Sequence, residues 1–147
     1  MAIKAEKLIL IERDVFRLTL WDEPKDPDDG SYDRIAKYRI AIGAKGYNTP
    51  RGVFRVTHKI KDPVWHRPHS DWVPEELRGT AVPGGAPENP LKERWLGFSP
   101  DDGVGIHGTG EVKSIGSAAS HGCIRMTPED VIELYSQVPL GCPVVVV

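Results

Sequence analysis

Prolines and glycines are spread through this chain so densely that long helices have little room to form. The 147 residues include 13 prolines and 15 glycines, and both residue types weaken or break a helix interior. Such a sequence favours short strands joined by turns over a helical bundle. We therefore expect a mainly β or α+β fold. The length suits one domain with its own hydrophobic core, so we predict a single domain over residues 1–147.

Alternating apolar and polar residues predict where the strands lie. The segment KLILIERDVFRLTLW (7–21) indicates two strands around a turn at Glu12–Asp14. One further strand each is predicted by IAKYRIAIGA (35–44), by VFRVTHKI (53–60), by GVGIHGTG (103–110), where a turn follows, and by the final VVVV. The acidic segment DEPKDPDDGSYD (22–33) between the second and third strands predicts an exposed loop.

One helix is predicted over residues 128 to about 138. Thr127 is a good N-cap, and Pro128 suits the first helical position. An apolar face follows at helical spacing, made of Val131, Leu134, Tyr135 and Val138.

The strand pattern disappears between residues 62 and 100. Seven prolines fall here, together with Trp65, Trp72 and Trp95. A segment this long without regular structure inside a compact domain is usually a functional loop. The tryptophans argue against a disordered linker, which would be poor in aromatic residues. We therefore predict a long lid loop over about 62–100.

Charge, hydropathy and cysteine content exclude several classes of protein. A formal net charge of -2 argues against a nucleic-acid binder held mainly by phosphate contacts. No apolar stretch approaches the roughly 18 residues that a membrane span needs. The first residues lack the pattern of a secretory signal peptide, so either the protein stays inside the cell or a targeting segment is absent from this chain. The two cysteines, Cys123 and Cys142, are too few for a disulfide framework and form no Cys-x-x-Cys pair.

Cys123 lies in SAASHGCIRMTP (117–128), a setting that suits a reactive thiol. Gly122 permits a tight turn whose backbone N–H groups could receive an oxyanion. A cysteine nucleophile needs a base or a positive neighbour, and the candidates are His121, Arg125 and the more distant His107. A half-buried structural cysteine and a solvated surface histidine are the alternatives at this point.

The remaining candidates have less specific settings. Arg125 could bind a carboxylate or could simply be solvated. Cys142 precedes an apolar strand and is predicted to be a small core residue, although a Cys123–Cys142 disulfide is an open alternative. A zinc site made of His58, His66, His69 and Cys123 matches no structural zinc spacing, so we predict no metal.

The segment GIHGTGEVKSIGSAASHGCIRM (105–126) resembles the active-site signature of L,D-transpeptidases, the YkuD-type domains that remodel bacterial peptidoglycan. Three more segments are similar to that family: GAKGYNTPRGVFRV, PGGAPENPLKERWLGF and DVIELYSQVPLGCPVVV. The resemblance therefore covers nearly the whole chain. It implies a mixed β-sandwich with a cleft and a lid loop.

The resemblance also implies roles for individual residues. Cys123 is then the nucleophile, His107 its base, and the Gly108 carbonyl the group that orients the imidazole. The oxyanion hole is expected from the backbone N–H groups of His121, Gly122 and Cys123. Ser120, His121 and Arg125 are expected to shape the donor site. Trp65 and Trp72, in the lid, are expected to contact the substrate, with packing on the core as the alternative.

The activity implied is acyl transfer between peptidoglycan stem peptides, without metal or organic cofactor, outside the cytoplasmic membrane, and inhibited by carbapenem-type β-lactams. D-alanine leaves a tetrapeptide stem, and an amine resolves the acyl-enzyme. Four alternatives stay open: an L,D-carboxypeptidase, another Cys–His peptidase, a catalytically inactive wall-binding module, and a thiol redox protein that pairs Cys123 with Cys142.

Overall fold

The computed structural model describes residues 6–23, 28, 30–99 and 103–147. Within these ranges most of the regular secondary structure is β-strand, and three single turns of 3-10 helix occur at Arg13–Val15, Glu75–Leu77 and Val112–Ser114. Residues 24–27 and 29 of the predicted acidic loop lie outside the described residues. The strands and the helix are β1 (Lys7–Glu12), β2 (Arg17–Asp22), β3 (Asp33–Arg39), β4 (Ile42–Gly43), β5 (Gly52–Arg55), β6 (His58–Lys61), β7 (Trp65–His66), β8 (Ala81–Val82), β9 (Arg94–Ser99), β10 (Val104–Gly108), β11 (Ala118–Ser120), β12 (Ile124–Met126), α1 (Pro128–Gln137) and β13 (Pro143–Val146).

Two larger sheets and two small ones are formed from these strands. The first has the order β3-β2-β1-β13-β5, and the second has the order β12-β10-β9-β6. In the second sheet β10 and β12 run parallel, whereas β9 is antiparallel to both of its neighbours. The small pairs are β11 with β4 and β7 with β8. The expected mainly β architecture with one helix is confirmed.

A single hydrophobic core joins the two larger sheets. Buried residues of the first sheet, such as Ile9 and Leu20, belong to the same cluster as Leu96 and Ile106 of the second. Alternate residues of a strand point to opposite faces, so the other face of each sheet is left for solvent or ligand.

The helix begins as its sequence predicts. The Thr127 hydroxyl accepts a hydrogen bond from the Asp130 N–H at 3.2 Å, and Pro128 takes the first helical position. Val131 and Leu134 are fully buried. The helix ends at Gln137, and Val138 is its buried C-cap residue.

The prediction of one strand over VFRVTHKI is wrong, because the chain changes sheets within it. β5 pairs with β13 in the first sheet, and β6 pairs with β9 in the second. At the crossing the Val56 N–H donates to the Cys142 carbonyl, and the Thr57 N–H donates to the Gly97 carbonyl. Apolar and polar residues keep alternating across the crossing, so the sequence pattern does not reveal that the chain changes sheets there. The predicted strand IAKYRIAIGA is likewise divided, into β3 and β4.

The predicted loop over 62–100 is too long. Its last part forms β9, an internal strand of the second sheet, so the loop ends at Glu93. The loop has structure of its own, because β7 and β8 pair within it. The buried Asn89 amide donates to the carbonyls of Pro63, Val82 and Pro83 and holds the two ends of the loop together. None of the helices in the described ranges is long and apolar enough to cross a bilayer.

Candidate active site

Parallel pairing of β10 with β12 brings together the segments that carry the predicted catalytic residues. Ile106 pairs with Ile124, and both are fully buried in the core. Their neighbours His107 and Arg125, which also pair, therefore face away from the core. Cys123 directly precedes β12. The positive charge of Arg125 acts on both the Cys123 thiol and the His107 imidazole, so both groups lie within electrostatic reach of the guanidinium.

Two hydroxyl groups hold the turn that carries Cys123. The Ser120 hydroxyl donates to the Cys123 carbonyl at 2.6 Å and accepts from the Gly122 N–H at 3.1 Å. The Thr49 hydroxyl donates to the Gly122 carbonyl at 2.7 Å and accepts from the Gly43 N–H at 3.0 Å. Gly122 has a φ of 124°, a conformation that only glycine adopts without strain.

These contacts change two of the predicted roles. Ser120 was expected to contact the substrate, yet it is 3% exposed and its hydroxyl bonds to backbone on both sides. It braces the turn instead. Gly122 was expected to offer its N–H to an oxyanion, but in this structure that N–H donates to Ser120. Of the three predicted oxyanion donors, the N–H groups of His121 and Cys123 therefore remain as candidates.

The Cys123 thiol is half-buried and free. Its Sγ lies 3.9 Å from the Gly103 carbonyl oxygen. Burial raises the pKa of the thiol, and a backbone hydrogen bond from Gly105 and the positive charge of Arg125 oppose that rise. The balance is a raised pKa, so the thiol is protonated at neutral pH.

His107 is buried, with 6% of its surface exposed. Its Nδ1 lies 2.5 Å from the Gly108 carbonyl oxygen. Because a carbonyl can only accept, Nδ1 carries the proton and Nε2 keeps a free lone pair. Burial lowers the pKa of His107 to about 4, the hydrogen bond to Gly108 opposes this shift, and the charge of Arg125 adds to it. The imidazole is therefore neutral near pH 7, and its Nδ1–H donates to the Gly108 carbonyl.

Arg125 is held at the edge of the site by the loop that follows β10. Its Nη1 lies 3.3 Å from Glu111 Oε2 and 3.4 Å from Ser114 Oγ. The guanidinium is 17% exposed, whereas the Glu111 carboxylate is largely exposed. Sequence reasoning did not identify Glu111 or Ser114, because nothing in their local pattern indicates a contact with a residue 11 to 14 positions away.

The lid loop contacts the site through Trp72. Its indole stacks on the His121 imidazole, with ring centroids 3.8 Å apart and planes 9° apart. Tyr47 meets the same imidazole edge-on at 4.8 Å. Burial, followed by the charge of Arg125, lowers the pKa of His121. Tyr47 was not predicted, although it stands in the GYNTP segment that also supplies Thr49.

Trp65 is not brought to the site. It pairs with Val82 in the β7–β8 hairpin, and its ring contacts the Arg67 guanidinium at 5.5 Å. The prediction that Trp65 and Trp72 contact the substrate from the lid therefore finds a geometric basis only for Trp72.

The structure also bears on the alternatives for the second cysteine and for zinc. Cys142 is buried in the core, both cysteines are free, and burial raises the pKa of Cys142 to about 11. No Cys123–Cys142 disulfide is present. Across residues 6–23, 28, 30–99 and 103–147, no three His, Cys, Asp or Glu side chains lie close enough together to hold a metal ion.

Comparison with known proteins gives one consistent family. The model of the YkuD L,D-transpeptidase catalytic domain matches residues 6–146. The chain is 36% identical over 113 residues to the putative L,D-transpeptidase YqjB of Bacillus subtilis, an alignment that covers 74% of this chain and 57% of that protein. The chain spans about half the length of the curated relatives it matches.

Solved structures show the same fold. An L,D-transpeptidase from Mycobacterium smegmatis superposes with a TM-score of 0.71 at 23% identity, over 97% of this chain and 58% of that one. The LD transpeptidase LdtMt1 in complex with imipenem gives a TM-score of 0.70 at 19% identity, over 97% of this chain and 59% of that one. The sequence matches and the shared fold lead to one conclusion: this chain belongs to the YkuD family of L,D-transpeptidase catalytic domains.

Proposed function

We propose that residues 1–147 form a single catalytic domain of a peptidoglycan L,D-transpeptidase, with Cys123 as nucleophile and His107 as its base. The observation that carries this proposal is the state of His107. Its Nδ1–H donates to Gly108, its pKa is about 4, and its strand β10 pairs in parallel with β12, which begins directly after Cys123. A neutral imidazole with a free Nε2 is the group that a protonated thiol needs.

The first half-reaction forms an acyl-enzyme. Nε2 of His107 takes the thiol proton as Sγ attacks the carbonyl that precedes the terminal D-alanine of a tetrapeptide stem. Backbone N–H groups of His121 and Cys123 stabilise the oxyanion. The C–N bond then breaks, and His107 returns the proton to the departing amino group of D-alanine.

The second half-reaction consumes the thioester. The amine of a neighbouring stem attacks the same carbonyl, gives its proton to His107, and the C–S bond breaks. The proton returns to the thiolate, so neither metal nor organic cofactor takes part. If water attacks the thioester in place of the amine, the reaction is that of an L,D-carboxypeptidase.

Arg125 and the lid supply contacts for the donor stem. The guanidinium can bind a carboxylate of the stem, since its present partner Glu111 is exposed and makes one contact at 3.3 Å. Trp72, stacked on His121, forms the lid side of the donor site. Trp65 has no such position, and we leave it out of the proposal.

The cell wall is the place of action that this chemistry requires, so we propose an extracytoplasmic site for the domain. We also propose inhibition by carbapenem-type β-lactams through acylation of Cys123. Support for this comes from LdtMt1, a protein of the same fold that was solved in complex with imipenem.

The test is mass spectrometry of products after mixing the protein with a disaccharide-tetrapeptide. Cys123→Ala is compared with Cys142→Ala, which removes the other thiol. We expect D-alanine release and a cross-linked dimer from wild type and Cys142→Ala, and neither from Cys123→Ala. Release of D-alanine with tripeptide alone would assign a carboxypeptidase. If all three proteins are folded and the substrate stays unchanged with each of them, the enzyme proposal is rejected and a wall-binding module is favoured.

A further inference from the structure

The outer strand of the first sheet, β3, presents a row of cationic side chains. Strand order in this sheet is β3-β2-β1-β13-β5, so β3 pairs on one side only within the described residues. Arg39 pairs with Arg17, and Lys37 pairs with Thr19. Tyr38, which lies between the two cations of β3, belongs to the buried core, so alternation turns Lys37 and Arg39 away from the core. Both side chains are exposed.

A shift of register brings Arg34 onto the same face. The pairing of β2 with β3 shifts once, and beyond the shift Trp21 pairs with Arg34. Trp21 and Arg17 lie on one face of β2, because they are an even number of positions apart. Directly opposite residues share a face, so Arg34 lies on the face of Lys37 and Arg39. The row is roughly 15 Å long, at about 3.3 Å per residue.

The row has no counter-charge of its own in the described part of the chain. There Arg34, Lys37 and Arg39 form no ion pair. The neighbouring Arg17 does form one, with Glu12 at 3.0 Å. Like charges directly opposite each other destabilise a pair of strands, and Arg39 lies opposite Arg17. The whole chain has a formal net charge of -2, so this positive charge is concentrated locally and does not follow from composition.

One end of the row borders a groove of about 250 Å³. The groove is lined by Val15, Phe16, Arg17, Lys37, Tyr38 and Arg39. Gly116 fixes the position of the Arg39 guanidinium, because a Cβ at Gly116 would clash with it. The guanidinium therefore lies against bare backbone, a contact that restricts its position and does not neutralise its charge. The groove is a concave site with two cations that lack counter-charges, Lys37 and Arg39.

We propose that this row and its groove, the β3 site, bind a linear polymer of polyols joined by phosphodiesters. A guanidinium matches two phosphate oxygens, and a lysine ammonium adds a point charge. Repeated anionic groups suit a row of cations better than one small anion does, because each further phosphate meets a further cation along β3. The polymer lies along the strand, with one phosphate in the groove between Lys37 and Arg39.

The β3 site is separate from the proposed catalytic site. It lies on the first sheet, whereas His107 is on a strand of the second sheet and Cys123 adjoins another. A polymer bound at β3 therefore leaves the thiol open to its substrate and holds the domain on an anionic matrix. A membrane surface is disfavoured as the partner, because the large apolar side chains exposed next to the row, Val15 and Ile35, lie at its opposite ends.

The test measures binding of fluorescently labelled poly(glycerol phosphate) to the protein by anisotropy at about 0.15 M salt. Lys37→Gln/Arg39→Gln is compared with Arg51→Gln/Lys61→Gln, which removes two exposed charges elsewhere. We expect Kd to rise at least about tenfold in the first double variant and less than about twofold in the second. The slope of log Kd against log salt concentration should decrease by about 1 to 2 in the first variant alone. Equal affinities of the two variants would overturn the proposal.

Three other results would also overturn it. Inorganic phosphate that binds as tightly as the polymer would show a site for a single anion. Vesicles of anionic phospholipid that bind the protein when the polymer does not would assign the row to a membrane. A Lys37→Gln/Arg39→Gln protein that aggregates yet keeps its affinity for the polymer would show that the charges only protect an edge strand.

Measurements at the catalytic site separate this proposal from the proposed function. Cys123→Ala should bind the polymer with wild-type affinity, and Lys37→Gln/Arg39→Gln should release D-alanine from a soluble tetrapeptide at the wild-type rate. Polymer binding by a protein that never releases D-alanine would refute the proposed function and leave the β3 site in place. In NMR spectra, backbone shifts on addition of the polymer should be centred on residues 34–39. Shifts centred on Trp72 instead would contradict the β3 site.

Discussion

At Cys123 and His107, burial keeps both groups uncharged near neutral pH. It raises the pKa of the thiol and lowers the pKa of the imidazole to about 4. A resting thiolate–imidazolium pair is therefore disfavoured. In the proposed mechanism the proton moves as the thiol attacks, so we expect the thiol to stay unreactive until a substrate carbonyl is in place.

This electrostatic state predicts a low acid limit for activity. Because His107 must be neutral to act as base, kcat/KM for D-alanine release should fall only as the pH drops through about 4. The rate is measured at low substrate concentration from pH 3.5 to 8, with circular dichroism at each pH to show that the fold persists. An acid limit near 6.5, the value of an unperturbed histidine, would be inconsistent with a buried base.

Removing the charge of Arg125 should move this limit. Arg125 lowers the pKa of His107, so Arg125→Gln should shift the acid limit to higher pH. The same variant should raise KM for the tetrapeptide, because a carboxylate partner is lost. A pH profile that superposes on the wild-type profile would show that the guanidinium does not act on His107.

The site depends on a turn and a loop that come from distant parts of the chain. The Thr49 hydroxyl bonds to the Gly122 carbonyl across 73 residues. The sequence predicts Cys123 and His107, because each stands beside glycine in a recognisable local setting. It cannot predict the pairs Thr49–Gly122 or Glu111–Arg125, since a hydroxyl or carboxylate carries no local sign of the group it will meet after folding.

Thr49→Val should therefore damage the site more than the fold. The variant leaves the buried Gly43 N–H without its acceptor, at a cost of about 1–3 kcal/mol in the free energy of unfolding. It also frees the Gly122 carbonyl, so the turn that holds Cys123 loosens and D-alanine release should fall at least about tenfold. Thr19→Val is the matched control. Thr19 is also buried and accepts a side-chain hydrogen bond, from Trp21, but it lies in β2 of the first sheet. Equal activity of the two variants per folded molecule would refute the bracing role.

The contacts of the lid predict different roles for Trp72 and Trp65. Trp72 stacks on His121, whereas Trp65 pairs with Val82 in its hairpin and contacts Arg67. Trp72→Ala should raise KM for the tetrapeptide about threefold to tenfold, through loss of an aromatic contact of order 1 kcal/mol. Trp65→Ala should alter KM less. Steady-state kinetics of both variants decides the matter, and a larger effect from Trp65 would reverse our assignment of the lid.

For the whole molecule, the alternation of apolar residues predicts the sheets well and their boundaries poorly. The helix, β1, β2 and β13 are where the sequence places them. The pattern does not reveal the crossing between β5 and β6, because Val56 and its neighbours keep alternating as the chain changes sheets. Nor does it reveal β9, because Gly97 and the surrounding prolines hide a strand whose Leu96 and Phe98 are buried. Local patterns predict which residues are buried, but they do not predict which sheet those residues belong to.

The buried base should also make the whole fold sensitive to acid. The unfolded chain binds a proton at His107 near pH 6.5, whereas the folded protein binds it only near 4. The free energy of unfolding should therefore fall as the pH drops from 6.5 to 4, by about 3 kcal/mol from this residue. His107→Asn keeps an N–H for Gly108 and cannot titrate. Urea unfolding at pH 7, 5 and 4 should show a smaller loss in this variant, and an identical loss would remove His107 as the cause.

The central claim is that Cys123 carries the acyl group. Intact-mass spectrometry of the protein quenched in acid within seconds of mixing with a tetrapeptide stem tests it directly, followed by proteolysis to locate the adduct. We predict a mass increase equal to the tetrapeptide minus D-alanine, on the peptide that contains Cys123. D-alanine release with no adduct at any residue, or with an adduct on Cys142, would contradict the account.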